Sequence, residues 1–350
     1  MFQLKSNKKI VLTLAIALLF TSCILTSCGK KEEPTTTAPV ENTETTTVPT
    51  PKDINPLTGE PGLAESAQGK RPVAVVVENT PAARPQWGLC SPDIVVEGLV
   101  EGGITRMLWL YSDISLLEKA GPTRSARNNY IEVAEGFDAV YVHLGGSKHA
   151  YKLMDNDPSI DHIDGLKSDG YFSRDRSRNV AIEHTAYTTG EWILKAISDK
   201  NIRSEIKPEY ENPFKFSSEK RSLSQPCTIV TAKFSSNYKH TFEYNANDGL
   251  YYNKMNSSPM LDDNGKQMCV SNVIIIYCNV TYYDTKYAEW NLTKGTGVYI
   301  SNGTYENITW KKGSTHDMLK LYSADGSELE LNTGKSWIGF VPASNVAEIF

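Results

Sequence analysis

Asp93-Ile-Val-Val-Glu-Gly-Leu-Val-Glu-Gly-Gly-Ile-Thr-Arg-Met-Leu-Trp-Leu-Tyr111 sets two apolar runs around a pair of glycines. Asp93–Leu99 and Thr105–Tyr111 are rich in β-branched and aromatic residues, which suit a half-buried pleated surface. Glu101-Gly102-Gly103 supplies the positive φ that a tight hairpin needs. Upstream, Arg71-Pro-Val-Ala-Val-Val-Val77 reads as a buried central strand. Downstream, Gly121–Ser125 is expected to open a helix over Ala126–Glu135, with Ile131 and Ala134 on one face. Ala139–Leu144 returns to strand, and helices follow near Lys148–Met154 and Thr188–Ala196. Strands alternating with helices predict an α/β domain over residues 53–200, a mixed sheet with flanking helices.

From Ile202 to Ser224 the chain turns polar, with Pro208 and Pro213, and a domain boundary is expected there. The stretch 225–350 has another texture. Short β-prone runs, among them Thr228–Phe234, Val273–Val280 and Ser336–Val341, are punctuated by Asn264-Gly265, Asn302-Gly303 and Asp325-Gly326. Asn-Gly and Asp-Gly are hairpin turns, so a smaller all-β domain is expected.

The N-terminus carries an address. Lys5, Lys8 and Lys9 precede an apolar run, Ile10–Phe20, too short for the ~20 residues of a membrane span. Leu25-Thr-Ser-Cys28-Gly29 then has the form of a lipobox. Residues 1–27 are expected to be removed as a signal peptide, leaving Cys28 as the fatty-acylated (palmitate-bearing) N-terminus. Cys23 is the weaker alternative, with Phe20 at its −3 position. The predicted location is the extracytoplasmic face of a cell membrane, held by the lipid. Residues 28–52 include Lys30–Pro51, dominated by Thr, Pro and Glu and without an aromatic, and are expected to form a disordered tether. At ~5–6 Å × √n it would hold the domains roughly 25 Å from the membrane.

The net charge is −5, and becomes −8 (33 basic against 41 acidic side chains) once Lys5, Lys8 and Lys9 leave with the signal. Nucleic acid, whose phosphates demand a basic face, is excluded as a partner on that ground. Anionic wall polymers would have to meet local basic patches. Of the six cysteines, Cys90, Cys227, Cys269 and Cys278 remain after Cys23 and Cys28 are accounted for. Their compartment permits disulfides, but four in some 300 residues are sparse, and buried free thiols are the favoured reading.

Charged residues recur inside apolar surroundings. Glu97 and Glu101 would lie roughly 13 Å apart along a strand at ~3.3 Å per residue. Glycosidase carboxyls sit ~5–5.5 Å or ~6.5–9.5 Å apart, so catalysis would need a bend at Gly98 or the hairpin. The plainer expectation is Glu97 neutralised by a neighbouring arginine. Arg84, Arg106, Arg124 and Arg127 suit a bidentate hold on carboxylate or phosphate, and free N–H groups at Gly121-Pro122-Thr123 would add to such an anion site. The same arginines also suit structural clamping. His143 is either a general base or a hydrogen-bonded core residue. Ser125 and Ser147 lack a Gly-x-Ser-x-Gly elbow. No HExxH, paired CxxC, Walker loop or dinucleotide fingerprint occurs, and His143, His149, His162 and His184 have no metal-ligand spacing, so no cofactor and no metal are expected. Tyr277, Tyr282, Tyr283, Tyr287 and Trp290, with Trp310 and Trp337 further on, form either a glycan-stacking platform or cross-strand packing.

Several motifs together resemble a known family. Glu78-Asn-x-Pro-x-Ala-Arg-Pro-Gln-x-Gly-Leu89, the Asp93–Arg106 stretch, Gly121-Pro-x-Arg-Ser-Ala-Arg127, Ala139–Ser147 and Ile163-Asp-Gly-Leu166 are similar to the YerB-like lipoproteins of Gram-positive bacteria, with Val298–Pro342 resembling their second, β-rich part. The resemblance covers nearly all of the mature chain. It implies a lipoprotein bearing a two-part domain of unknown function, and it carries no activity. After Tyr171–Asp175 the family tends to read Pro-His-Asn, where this chain has Glu183-His184-Thr185, so no role is carried to His184. The resulting expectation is an envelope-anchored, non-enzymatic protein that binds an anionic wall component (peptidoglycan or teichoic acid) or a wall-associated enzyme. Its candidate ligand residues are Arg84, Glu97, Glu101, Arg106, Arg124, Ser125, Arg127 and His143. The competing class is a wall-polymer hydrolase or transferase using Glu97, Glu101 or His143.

Overall fold

A computed structural model describes residues 53–168 and 170–350. Cys28 and the 28–52 tether lie outside the described residues. The quoted stretch folds as read: β2 (Ile94–Leu99) and β3 (Thr105–Tyr111), next in the chain after β1 (Val73–Glu78), pair antiparallel, with Glu97 opposite Met107 and Gly98 opposite Arg106. Between them Gly102 and Gly103 take φ of 66° and 72°, the left-handed region that side chains resist. β1 lies between β3 and β4 (Val140–His143), antiparallel to the first and parallel to the second, and β5 (His162–Asp164) continues the parallel edge. Every residue of β1, β2 and β3 is buried, which explains runs that are apolar rather than alternating.

Helix α1 (Asn128–Glu135) begins later than expected, and Gly121–Ala126 is extended. Its amides are already used: Gly121 N–H donates to the Trp87 carbonyl, Thr123 to Ala186, Arg124 to Val76 and Ala126 to Gly145. The free N–H groups expected at Gly121-Pro122-Thr123 are therefore not there to bind an anion. The carbonyls of Trp87 and Ala186 take the Gly121 and Thr123 amides, and proline has none to offer. α2 (Lys148–Asn156) is capped by the Ser147 hydroxyl and α3 (Gly190–Asp199) by that of Thr189.

The C-terminal stretch is β-rich, as its turns foretold. Its strands are β6 (Ile229–Ser235), β7 (Tyr238–Asn245), β8 (Leu250–Met255), β9 (Asn272–Cys278), β10 (Val280–Tyr283), β11 (Tyr287–Trp290), β12 (Lys294–Ser301), β13 (Thr304–Lys311), β14 (Lys320–Tyr322), β15 (Ser336–Pro342) and β16 (Glu348–Ile349). Asn302-Gly303 closes the β12–β13 hairpin as a two-residue turn.

The main sheet runs β14-β13-β12-β9-β15-β2-β3-β1-β4-β5. β15 lies between β9 and β2, parallel to both, so strands from 53–200 and from 225–350 complete one sheet. The polar stretch from Ile202 to Ser224 is pinned along the way: Ile206 N–H donates to Gly69, Ser217 N–H donates to Leu331, and Lys215–Phe216 pairs with Glu330–Leu331. The described residues from Asp53 onward fall within one unit.

Three layers result. One face of the main sheet, with Val75, Trp109, Ile275 and Trp337, packs on α3 and on an antiparallel sheet built around β8-β7-β6-β16. The opposite face, with Val76, Leu108, Ile274 and Phe340, packs on α1 and α2. Gly98 makes room for Trp290 of β11 on that face: a Cβ there would meet the indole at 2.1 Å. Trp290 Nε1 donates to the Leu99 carbonyl at 2.9 Å, so the ring is locked over the backbone.

Candidate functional site

Glu97 lies between the two sheets with no solvent access. No arginine neutralises it. Its carboxylate accepts from Thr105 Oγ1 at 2.5 Å, Asn79 Nδ2 at 2.9 Å, His240 Nε2 at 3.0 Å and Trp337 Nε1 at 3.3 Å. The other His240 nitrogen lies 3.0 Å from Asn253 Oδ1, so both ring nitrogens are within hydrogen-bond distance of an oxygen. Burial would push the Glu97 carboxyl up, but the electrostatic interaction with His240 and the hydrogen bonds from His240, Thr105 and Trp337 outweigh it and hold the group below its ordinary range. Three of these bonds fall on Oε1 and only Trp337 reaches Oε2, and the whole group is closed off from solvent and hence from substrate.

Glu101, at the hairpin, joins two of the predicted arginines. Arg127 Nε donates to it at 2.9 Å and Nη2 forms a second, parallel bond, while Arg106 Nη2 stands 3.5 Å away. Burial opposes ionisation of Glu101, yet the Arg127 hydrogen bonds and the charges of Arg106 and Arg127 bring it down to about 2. Arg106 also donates to the Ser125 carbonyl at 2.6 Å. It is wholly buried, and desolvation with the nearby Arg127 charge lowers it to about 10. Arg124 is held differently: Nε lies 3.6 Å from Glu78 and Nη2 3.4 Å from Glu183. His184 Nδ1 meets the same Glu78 carboxylate at 2.9 Å. Three of the four arginines thus gather at the ends of β1 and β3, each spoken for by a glutamate. Glu78 was the legible clue passed over, an acid closing the apolar run Val73–Val77.

His143 is fully buried. Its Nδ1 faces the Gly145 carbonyl at 2.7 Å and must carry the proton, so Nε2 accepts from His162 Nδ1 at 3.0 Å. Desolvation outweighs the Asp164 charge and lowers His143 to about 4. This is the hydrogen-bonded core histidine, without solvent access. Ser125 contributes its carbonyl to Arg106 and Arg127, and among the described residues its hydroxyl makes no hydrogen bond. No cluster able to hold a metal occurs among the described residues. Trp290, Trp310 and Trp337 are core residues, whereas Tyr282 and Tyr283 are exposed on the β10–β11 hairpin, where Tyr283 stacks on His149.

Arg84 stands apart from the other three. Its Nε donates weakly to the Thr80 carbonyl at 3.4 Å, and among the described residues it forms no ion pair with a carboxylate. Burial lowers its pKa, with Tyr238 and Glu97 opposing. It lines a cleft of about 430 Å3 whose walls include Pro85, Met255, Pro259, Met260 and Leu261. Asp262, which is buried, and Asp263, which is exposed, also line it. Asp262 is occupied by backbone, accepting from the amides of Gly88, Cys90 and Asp263 at 3.1, 2.9 and 2.7 Å. A larger cleft, about 670 Å3 beside α3, is lined by Lys70, Arg71 and Arg203, and all three are paired, with Glu205, Asp161 and Asp138. Size therefore points to one cleft and available charge to the other.

The chain was compared with known proteins. Residues 57–203 match the N-terminal domain, and residues 230–338 the C-terminal domain, of a protein family of unknown function, DUF3048. A relative from Bacillus subtilis (strain 168), described as "Putative lipoprotein YerB", is 30% identical over 341 residues, covering 95% of this chain and 96% of the relative. The crystal structure of YerB from Bacillus subtilis superposes with a TM-score of 0.74 at 30% identity, covering 84% of this chain and 98% of that one.

Proposed function

Because this chain belongs to the DUF3048 family of proteins of unknown function, we propose that it is an envelope-anchored lipoprotein that binds an anionic component of the cell wall without turning it over. The lipobox at Leu25–Gly29 and the description of the Bacillus relative as a lipoprotein support the anchor. The observation that carries the binding reading is Arg84, a half-buried guanidinium without a carboxylate partner, lining a cleft. A desolvated charge without a counterion is costly, and an anionic ligand relieves the cost. Arg106, Arg124 and Arg127 act as clamps in this reading, because glutamates already neutralise them.

The hydrolase reading lacks a usable group at each of its three residues. Glu97 and His143 are solvent-free, and Glu101 is fixed by two arginines. The test is a pull-down of the full chain, purified in detergent, on peptidoglycan sacculi with and without their teichoic acid, scored together with release of soluble muropeptides. Wild type should bind and release nothing, and Arg84→Gln should bind at least tenfold less. Unchanged binding by Arg84→Gln at matched folding overturns the site, and muropeptide release by wild type overturns the non-catalytic reading.

A further inference from the structure

The Arg84 cleft carries a choice between the two anions that its compartment offers, and the walls make it. Asp262 and Asp263 line the cleft together with Arg84, so the lining itself carries one guanidinium against two carboxylates. A chain of phosphates would be repelled there, because like charges brought together in a half-desolvated site cost more than one arginine returns. A single carboxylate is different. It takes the fork of the guanidinium in a bidentate pair, and its distance from the two aspartates is set by whatever it is attached to.

The remaining lining says what that is. Pro85, Met255, Pro259, Met260 and Leu261 are apolar, and two of them are methionines, whose unbranched thioethers adapt to small irregular groups. Met255 also closes the back of the cleft against the interior, its sulfur 3.7 Å from the Asn79 amide that serves Glu97. Asp263 is exposed, and its carboxylate oxygens have the chemistry to accept N–H groups. The cleft volume, about 430 Å3, falls within the ~300–1,000 Å3 of small-ligand sites. A monoanionic head, short aliphatic side chains and amide N–H donors are together the chemistry of a peptide ending in small residues with a free carboxylate.

We propose that the cleft formed by Arg84, Met255, Met260 and Asp263 binds the free C-terminal carboxylate of a short peptide with small aliphatic side chains, the kind of group found on peptidoglycan stems, and discriminates against phosphate. This rests on the reading of Arg84 as the anion-binding residue and adds the ligand class. Arg84 holds the carboxylate, the methionines and prolines bury the methyl groups, and Asp263 accepts from a backbone amide of the ligand.

The experiment uses the full chain carrying 13C-methyl methionine, with Met255 and Met260 assigned through Met255→Leu and Met260→Leu. Three probes are titrated: an acetylated alanyl-alanine peptide with a free carboxylate, the same peptide amidated at its C-terminus, and glycerol phosphate. The free acid is expected to shift both methionine signals saturably, the amide to bind at least tenfold more weakly, and glycerol phosphate to leave both signals in place. Arg84→Gln should erase the difference between acid and amide, and Arg84→Lys should restore part of it. Saturable shifts with glycerol phosphate at equal or lower concentration overturn the ligand class while leaving Arg84 as an anion site. Equal binding of acid and amide, or no response to any probe, overturns the proposal. The sacculus pull-down judges the broader reading separately, since that reading fails if Arg84→Gln leaves wall binding intact or if wild type releases muropeptides.

Discussion

His240 Nε2 and Glu97 Oε1 meet at 3.0 Å between the two sheets, 143 residues apart in sequence and both without solvent contact. One comes from the hairpin that organises the main sheet and the other from the sheet that covers it. Breaking such a pair leaves an uncompensated buried charge, which typically costs about 3–5 kcal/mol. Glu97→Ala is therefore expected to lower the unfolding free energy by that amount. His240→Ala should cost a similar amount, and the double variant less than the sum because the two share one interaction. Urea denaturation of the three variants measures it. A loss below about 1 kcal/mol for Glu97→Ala, the value of an exposed pair, would show that the contact does not hold the sheets together.

Acidification should weaken the protein in two stages. His143 is lowered to about 4 from an ordinary 6.5, so the unfolded chain takes up its proton first. Its contribution is complete above pH 6.5 and is lost as pH falls toward 4, on the order of 3 kcal/mol at ~1.4 kcal/mol per pH unit. Glu101 has the carboxylate sign: its contribution is present above 4.5 and is lost as pH falls through about 2. Glu97, also lowered, adds to the second stage. Denaturation midpoints measured from pH 7 to pH 3 should show both limbs. His143→Gln should flatten the first and Arg127→Ala the second. An undiminished first limb in His143→Gln would place that titration elsewhere.

What was legible in the sequence was whatever depends on neighbours along the chain. The Asp93–Tyr111 hairpin, the buried Val73–Val77 strand and the Asn302-Gly303 turn follow from local pattern, and the structure has all three. The partner of Glu97 was not legible. His240 reaches it because β7 alternates inward and outward and a second sheet is laid across the first, which no local window encodes. The insertion of β15 between β2 and β9 was hidden for the same reason, since parallel neighbours need not be near in sequence. At the candidate site, the sequence named four arginines on equal terms. Only the positions of Glu78, Glu101 and Glu183 separate Arg84 from the rest.

The thiols should behave as packed side chains. Cys90, Cys227, Cys269 and Cys278 are unpaired, and Cys227 and Cys278 are buried. Burial pushes Cys278 up to about 12 and Cys227 to about 11, while burial together with Asp262 brings Cys90 to about 12. Thiolate is the reactive form, so alkylation at pH 8 should be slow in the native protein and reach all four in denaturant without a reductant. A requirement for reductant at any two of them would reveal a disulfide.

Cys28→Ala tests the anchor apart from the fold. The variant is expected either to leave the membrane fraction or to accumulate as uncleaved precursor, with unchanged thermal unfolding of the remainder. Mass spectrometry of the wild-type N-terminal peptide should show acylation at Cys28, and an unmodified Cys28 would contradict the lipoprotein reading.

Limited proteolysis probes how the shared sheet behaves once the chain is cut. The Thr/Pro-rich stretch Lys30–Pro51 lacks core-forming residues and is expected to be cleaved first, leaving a fragment that starts near Ile54. A slower cut is expected between Ile202 and Ser224, where the chain is polar and carries Pro208 and Pro213. That second cut should not release two domains. β15 is hydrogen-bonded along β2 from Ile94 to Gly98 and along β9 from Asn272 to Cys278, so each fragment supplies strands to the other's sheet. The Glu97–His240 pair crosses the same junction. Two bands on a denaturing gel should therefore elute together on size exclusion at the volume of the uncut domain, and separate only in denaturant. Elution as two smaller species in native buffer would mean that the strands on either side of β15 do not depend on one another for folding.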